Sequence, residues 1–383
     1  MTTATTNPIA HLTPADLEAI GQELDELRDG VMADLGERDA NYIRKVIKTQ
    51  RGLEAGGRAA LLVSLFPPAW LAGSAMLSVS KILENMEIGH NVMHGQYDWM
   101  RDPEVHSATW EWDSASTAES WKHSHNYMHH TFTNVVGKDR DLGYDVLRLD
   151  PEQRWIPYYL GQPVYNVMLA LFFQWAVAIH DLELADARKG KKPWSRVRDE
   201  VKGILGKARS QFLKDYVVFP LLSGPSAVPT FFGNLTANLV RNVWAHTVIF
   251  CGHFPDGAVT FDYEESDLED ETRGGWYVRQ LLGSCNIDGS PLMHLMSGNL
   301  SFQIEHHLFP DIPSSRYAEI APQVRELCER YDLPYTSGPL LTQYAQVWRK
   351  ILRLSLPGGG GPPQQAPERA TAADGDLALS AAA

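Results

Sequence analysis

Three stretches of this chain run for 22 to 25 positions without a charged side chain: 59–80, 156–180 and 216–240. Crossing the hydrocarbon of a bilayer takes about 20 residues of helix, so each qualifies by length. Two of them share a design. Each follows a charged helical run (42–58 and 196–214), is interrupted by proline (Pro67 and Pro68; Pro220, Pro225 and Pro229), and leads into a helix that ends in histidine. Proline removes a backbone donor and clashes with the preceding turn, so these sites mark hairpin turns. The pattern predicts two transmembrane helical hairpins, 44–66 with 68–94 and 207–225 with 228–253. Their leading legs are polar at the cytosolic ends, which accounts for a mean hydropathy of only −0.26.

The middle stretch fits this scheme less simply. If 156–180 spanned, the segment 181–215, with ten Lys and Arg, would lie outside. The bias of basic loops towards the cytosol opposes that. A lone crossing would also put the histidine clusters on opposite sides of the membrane. The expectation is an in-plane or re-entrant apolar helix followed by a basic amphipathic segment on the cytosolic surface. Residues 1–40 read as a cytosolic N-terminal part: Thr13-Pro14 has the form of an N-cap and first helical residue, and an acidic amphipathic helix follows to about residue 35. Residues 41–356 form the main domain. From 357 to 383 the chain is rich in Gly, Pro and Ala and is expected to be a disordered tail; its Ala-Ala-Ala end has the look of a degradation signal.

A net charge of −13 argues against a nucleic-acid partner. Part of that acidity is local, DYEESDLEDE at 262–271, expected as a solvated loop or, less simply, a docking patch. Cys251, Cys285 and Cys328 have no metal-binding spacing and are expected as reduced thiols.

The chemistry is carried by histidine. His90 and His94, at the end of the first hairpin, are four apart and share a helical face. Glu87, one turn earlier, is a candidate acceptor for a ligand N–H. A second cluster, His125, His129 and His130, repeats the spacing and turns one imidazole to the next face. The third is Gln303, His306 and His307, and His253 closes the last hairpin as a lone contributor. One such pair is usually structural; three clusters, each beside a membrane entry point, point to metal. His106, His123, His180, His246 and His294 are assigned to packing, interface or outer contacts. The absence of a cysteine set disfavours zinc ribbons and iron–sulfur clusters, and no HExxH order occurs. Imidazole suits several transition metals. Eight histidines exceed what one ion uses, so two ions are implied. Two irons bracketing O2 are able to supply the oxidant for an unactivated methylene, with the protein providing placement and a dry slot.

At NMEIGHNVMHGQYDWM, HNYMHHTFTNVVGKDRDLGY, RNVWAHTVIFCGHFPDG and MSGNLSFQIEHHLFPDIPSSR the sequence resembles the membrane-bound fatty-acid desaturases, whose histidine boxes read H-x3–4-H, H-x2–3-H-H and (H/Q)-x2-H-H. It is most similar to bacterial acyl-CoA desaturases of the stearoyl-CoA delta-9 and linoleoyl-CoA type, over roughly residues 10–356. The resemblance implies an all-α integral membrane fold of two hairpins, with a cytosolic helical cap holding a di-iron site. It implies His90, His94, His125, His129, His130, His306 and His307 as iron ligands, a further ligand that falls on His253, and Gln303 where some members have histidine. The implied reaction is O2-dependent insertion of a cis double bond into a long acyl-CoA at the cytosolic face of the cell membrane. The electrons would come from a separate ferredoxin-like or flavin reductase partner, since no fused haem-binding His-Pro-Gly-Gly motif occurs. Lys122, Lys138 and Arg140 flank the second cluster and are placed either to meet coenzyme A phosphates or simply to sit at the interface. Front-end desaturases and lipid hydroxylases of the same superfamily remain rivals, as does, from another class, a metal transporter, although its ligands would sit at mid-membrane.

Overall fold

The computed structural model describes residues 9–262 and 268–359. Within them the chain is mostly helical, and the one strand ladder is a short parallel pair, Asn286–Asp288 with Ser337–Pro339. The first helix, Pro14–Ala33, starts as its sequence dictates. Asp16 N donates to Thr13 Oγ1 at 3.2 Å and Thr13 N donates to Asp16 Oδ2 at 2.8 Å, so two otherwise orphaned donors are satisfied reciprocally. Its Ile20 and Leu24 are buried against Tyr277, Leu281, Ile320 and Val324, which attaches the N-terminal helix to the cap around the third histidine cluster. The second helix, Glu37–Leu61, runs through residue 40 without a break.

Both proline-marked turns are real hairpins. Glu37–Leu61 turns back at 62–66 into Pro67–Ile82, with Pro67 and Pro68 in the first helical turn, where a missing N–H costs nothing. The legs approach closely because Gly57 and Gly73 face each other. A Cβ on either would come within 3.1 Å of the other's carbonyl oxygen. The second hairpin rises through Trp194–Phe212, Leu213–Val218 and Phe219–Leu222, turns at 223–226, and returns as the long helix Ala227–His253. A buried ion cluster joins the two: Asp215 accepts from Arg58 at 2.7 Å and from Lys81 at 3.0 Å. The tips of both hairpins present bare apolar side chains, with Leu65 and Phe66 64 % and 63 % exposed, and Leu221 and Leu222 72 % and 68 %.

No single helix among the described residues is long and apolar enough to cross a membrane. Polar positions in Ala227–His253, the charged residues of Glu37–Leu61 and the division of the other legs into shorter helices account for this. The stretch 156–180 is broken: Pro157–Leu171 and Phe173–Arg188 meet at 100°, a sharp bend rather than a straight rod.

Two helical segments that lead into histidine clusters, Leu83–His90 and Lys122–His129, are wound as π-helices. Their wider turn is uncommon and tends to occur where a helix serves a site. The acidic run at 262–271 is only partly visible, since 263–267 lie outside the described residues. Its last residue is not solvated: Glu271 receives the buried Arg279 guanidinium at 2.7 and 2.6 Å. Most of the expected tail, 360–383, also lies outside the described residues.

Candidate metal centre

Four segments that are distant in sequence deliver eight imidazoles to one buried place. His90 ends the first π-helix and His94 follows it; His125 and His129 lie in the second, with His130 just beyond. His306 and His307 sit in Gln303–Leu308, and His253 is the last residue of Ala227–His253. Three all-imidazole sets have ligand atoms all within 4.8 Å of one another: His90, His94, His125 and His306; His129, His253 and His307; and His130 with His306 and His307; a fourth set of the same closeness is His125, His129 and Asp141. The first two sets are disjoint, and the third joins them. Nitrogens point at nitrogens across the gaps, His90 Nε2 to His306 Nε2 at 3.3 Å and His253 Nε2 to His307 Nε2 at 3.2 Å.

The electrostatics suit cations. Burial, then the neighbouring imidazoles, hold His130, His306 and His307 well below the ordinary 6.5, so these rings are neutral and keep a lone pair. Buried His94 Nε2, His125 Nε2 and both nitrogens of His130 have no hydrogen-bond partner in the protein. Leaving such atoms bare in a dry interior costs free energy, and a bound metal ion would satisfy them. All-imidazole donor sets of this kind fit iron among other transition metals.

An outer layer fixes the rings. His129 Nδ1 lies 3.0 Å from Asp139, His125 Nδ1 3.4 Å from Asp141, His307 Nδ1 3.1 Å from Gln280 Oε1, and His306 Nδ1 3.2 Å from the Tyr317 hydroxyl. These contacts select the tautomer that turns Nε2 inward. Burial alone would lower the His129 pKa, but the Asp139 carboxylate outweighs it and raises it. Burial likewise pushes Asp141 up, and hydrogen bonds from His125 and His180 prevail, holding it well below 3.8.

The structure places the remaining sequence candidates as follows. Gln303 joins the His253 side, its Nε2 3.0 Å from His253 Nε2 and its Oε1 unpartnered. Glu87 does not serve a ligand N–H: its carboxylate receives the Tyr42 and Ser314 hydroxyls at 2.9 and 2.8 Å and Asn299 at 2.9 Å, bracing the π-helix from behind. His180 contacts Asp141 at 3.1 Å, outside the imidazole sets; His246 stacks on Phe250, and His294 bonds Ser301. His106 pairs with Asp98, and exposed His123 lies near Glu183.

A small cavity of about 50 Å³ lies beside His90 and His125, its aromatic and apolar wall formed by Met86, Trp112, Trp121, Tyr144, Phe173 and Ala245 and its polar lining including Asp141, Asp181, Gln174 and Asn242. Trp121 stacks on His125 with ring centres 4.5 Å apart. Next to this cavity opens a charged vestibule of about 930 Å³. Lys138 and Arg140 line it, together with Lys189, Lys191, Lys192 and Arg196, which the sequence reading did not single out. Lys122 is not part of this wall; its ammonium donates to Ser107 O at 2.8 Å. Arg140 is already engaged with Asp145 at 2.9 Å.

The family model for fatty acid desaturase matches residues 65–339. The chain belongs to the fatty acid desaturase family. It is 50 % identical over 352 residues, 91 % of its length and 82 % of the relative's, to the NADPH-dependent stearoyl-CoA 9-desaturase of Mycobacterium tuberculosis. It is 25 % identical over 71 % of its length, and 76 % of the relative's, to the sn-1 linoleoyl-lipid 6-desaturase of Synechocystis. Fatty acid desaturase 3 of Homo sapiens is 24 % identical over 60 % of this chain and 49 % of the human protein.

The cluster contains more than its histidines. Asp139 and Asp141 stand in GKDRDLGY, where carboxylates beside basic residues read as solvent-facing charge. The available signal was their position 10 to 16 residues after ring nitrogens that each need an outer partner. Gln280 and Tyr317 had no local signal.

Proposed function

We propose that this desaturase inserts a cis double bond, at the delta-9 position, into a saturated long-chain acyl-CoA at a pair of iron ions, using O2. The observation that supports it most is that two disjoint imidazole sets adjoin through His130, His306 and His307 and lie against a cavity with an aromatic and apolar wall. The coenzyme, chain class and bond position rest on the 50 % identical relative's name. When bound, the iron pair supplies the oxidant that takes two hydrogens from unactivated methylenes while O2 is reduced to two waters.

The chain's own residues do the rest. His90, His94, His125 and His306 would hold one ion. His129, His253 and His307 would hold the other, with His130 between the two and Gln303 beside His253. Asp139, Asp141, Gln280 and Tyr317 keep the outer nitrogens of their rings occupied, so that the inner nitrogens stay aimed. Trp112, Trp121 and Phe173 exclude water from the acyl chain. The cations of the vestibule, Lys138 with Lys189, Lys191, Lys192 and Arg196, meet the phosphates of the carrier. Electrons arrive from a separate reductase-linked donor, in keeping with the relative's NADPH dependence.

The hairpins are embedded in the cell membrane with the metal centre on the cytosolic side. The bare apolar tips and the basic segment 181–215 support this. A Cys replacing Gly190 is then shielded from an impermeant thiol reagent applied outside intact cells; labelling there would reverse the topology.

The functional test is the fatty-acid profile of a desaturase-deficient host expressing the chain, with double bonds located by mass spectrometry. New delta-9 monounsaturated chains, absent with His306→Ala, are expected. Hydroxylated products would reassign the chemistry, and bonds nearer the carboxyl end of already unsaturated chains would indicate a front-end enzyme.

A further inference from the structure

The helix Leu340–Ser355 has a side that neither the core nor the metal centre uses. Its inner face is settled: Gln343, Val347, Ile351 and Leu354 are buried, and Val347 and Ile351 share a cluster with Val248, Phe250 and Phe254, the residues around His253. A helix turns about 100° per residue, so Leu341, Ala345, Trp348 and Leu352, spaced four, three and four apart, fall along a different line. That line is bare. Leu341 is 81 % and Leu352 51 % exposed, Ala345 is exposed and Trp348 half-buried, and exposed Leu356 follows the last turn. Between the bare line and the buried one runs a third, Thr342, Arg349 and Arg353, all exposed. The helix holds three cations, Arg349, Lys350 and Arg353, and no acidic residue, in a chain whose net charge is −13. Arg349 is ion-paired with Asp256.

The surroundings say what covers the bare line. The helix is fastened to the bent apolar segment: Gln162 Nε2 donates to Ile351 O at 2.7 Å, and Trp155 Nε1, just before that segment, donates to Ser355 O at 2.9 Å. Among the described residues, this bent pair of helices is the one part with the length and composition to enter a membrane, and its own Val164, Val167 and Met168 are bare as well. An apolar row, a basic flank and a tryptophan between them suit a helix that lies in the plane of a bilayer surface, where the row reaches acyl chains and the cations stay among phosphates.

We propose that Leu340–Ser355 is an in-plane anchor on the cytosolic leaflet, with Leu341, Trp348 and Leu352 among the acyl chains and Arg349 and Arg353 at anionic headgroups. This rests on the embedding of the hairpins proposed above. Because Val347 and Ile351 pack against the end of the helix that carries His253, the anchor holds that side of the metal centre at a fixed height over the bilayer.

The test uses the full-length protein in vesicles of phosphatidylcholine and phosphatidylglycerol. Cys251, Cys285 and Cys328 are buried, so a nitroxide is attached at Leu352→Cys, at Thr342→Cys or, as a reference on a hairpin tip, at Phe66→Cys. Its collision rates with O2, which partitions into lipid, and with a water-soluble nickel chelate are compared. The O2-to-nickel ratio at 352 is expected to approach that at 66 and to exceed that at 342. It is expected to fall when phosphatidylglycerol is omitted, and Arg353→Gln should shrink that fall; a ratio indifferent to the lipid would overturn the headgroup contact. A label at 352 open to nickel while that at 66 lies in lipid would overturn the anchor. So would a label at 352 shielded from both reagents, which means protein cover: exposure on removal of residues 360–383 would then name the chain's own end, and spin–spin broadening a second copy. Leu341→Cys repeats the measurement should Leu352→Cys not fold. Labels at 66 and 352 that both lie in water would defeat the embedding itself, which is a separate result.

Discussion

At the scale of single residues, the candidate metal centre depends on carboxylates that meet the outer nitrogens of its imidazoles. Asp139 accepts from the backbone N–H groups of Asn134 and Asp141 at 2.7 and 2.9 Å and faces His129, so one side chain sets both the loop and the ring. Asp139→Asn preserves the shape and removes the charge; retention of iron against a chelator is expected to fall about 10- to 100-fold, while the apoprotein melts nearly as before. Asp181 makes a different prediction. It is fully buried, receives the Ser116 hydroxyl in a short bond and Ser124 Oγ at 2.6 Å, and is pushed by burial from 3.8 up to about 6. Because the folded state holds this proton more tightly than the unfolded chain, its contribution is fully present below 3.8 and lost as the pH rises to about 6. At 1.36 kcal/mol for each pKa unit this is about 3 kcal/mol. Denaturant titrations of wild type and Asp181→Asn across that range should show the wild type losing stability relative to the variant as pH rises; parallel curves would refute it.

At the scale of elements, the hairpins and the histidine-bearing helices were legible because proline placement and i, i+4 spacing are local signals. Pro67 and Pro225 could be read without knowing what their helices pack on. The winding of Leu83–His90 and Lys122–His129 was not legible, since a π-turn contains the same residues as an α-turn and is selected by what surrounds it. One such surrounding is Gly298. It has φ +70°, and a Cβ there would sit 2.4 Å from Met86 O in the first π-helix. Gly298→Ala therefore combines a left-handed backbone with a backbone collision. A loss of about 2 kcal/mol or more is expected, with iron content falling as His90 is displaced; a variant with unaltered melting and metal content would show that the contact does not position the helix.

At the scale of the whole molecule, the cap and the hairpins are joined by apolar packing, in which Val248 and Phe250 share a cluster with Leu300, Val347 and Ile351, and by a buried ion pair. Arg316, nine residues after His307, donates to Asp39 at 2.6 and 2.8 Å and reaches Asp34 at 2.9 Å, tying the N-terminal helices to the segment that follows the third cluster. Arg316→Met leaves Asp39 buried and unpaired, for an expected cost of about 3–5 kcal/mol, read as a lower melting temperature in detergent. Arg316→Met with Asp39→Leu should recover most of it. The sequence pointed to the imidazoles that the fold brings together, because histidine identity survives without coordinates. It did not show the cavity beside His90 and His125 or the vestibule. Gln174 and Gln211 lie 37 residues apart, and nothing local marks them as partners.

The π-helices that carry His90 and His125 change what kind of mutation this enzyme can tolerate. In an ordinary helix each residue turns the chain by about 100°, and a wider turn accommodates an extra residue without passing that rotation on. Deleting one residue from 83–89 would let the segment relax to the common winding with the helix on either side kept in register, so the change would be felt at the turn that carries His90 rather than at His94. For this segment length is the inherited quantity. A gene library built from substitutions alone would miss the constraint, and one built from single-codon deletions would find it at once.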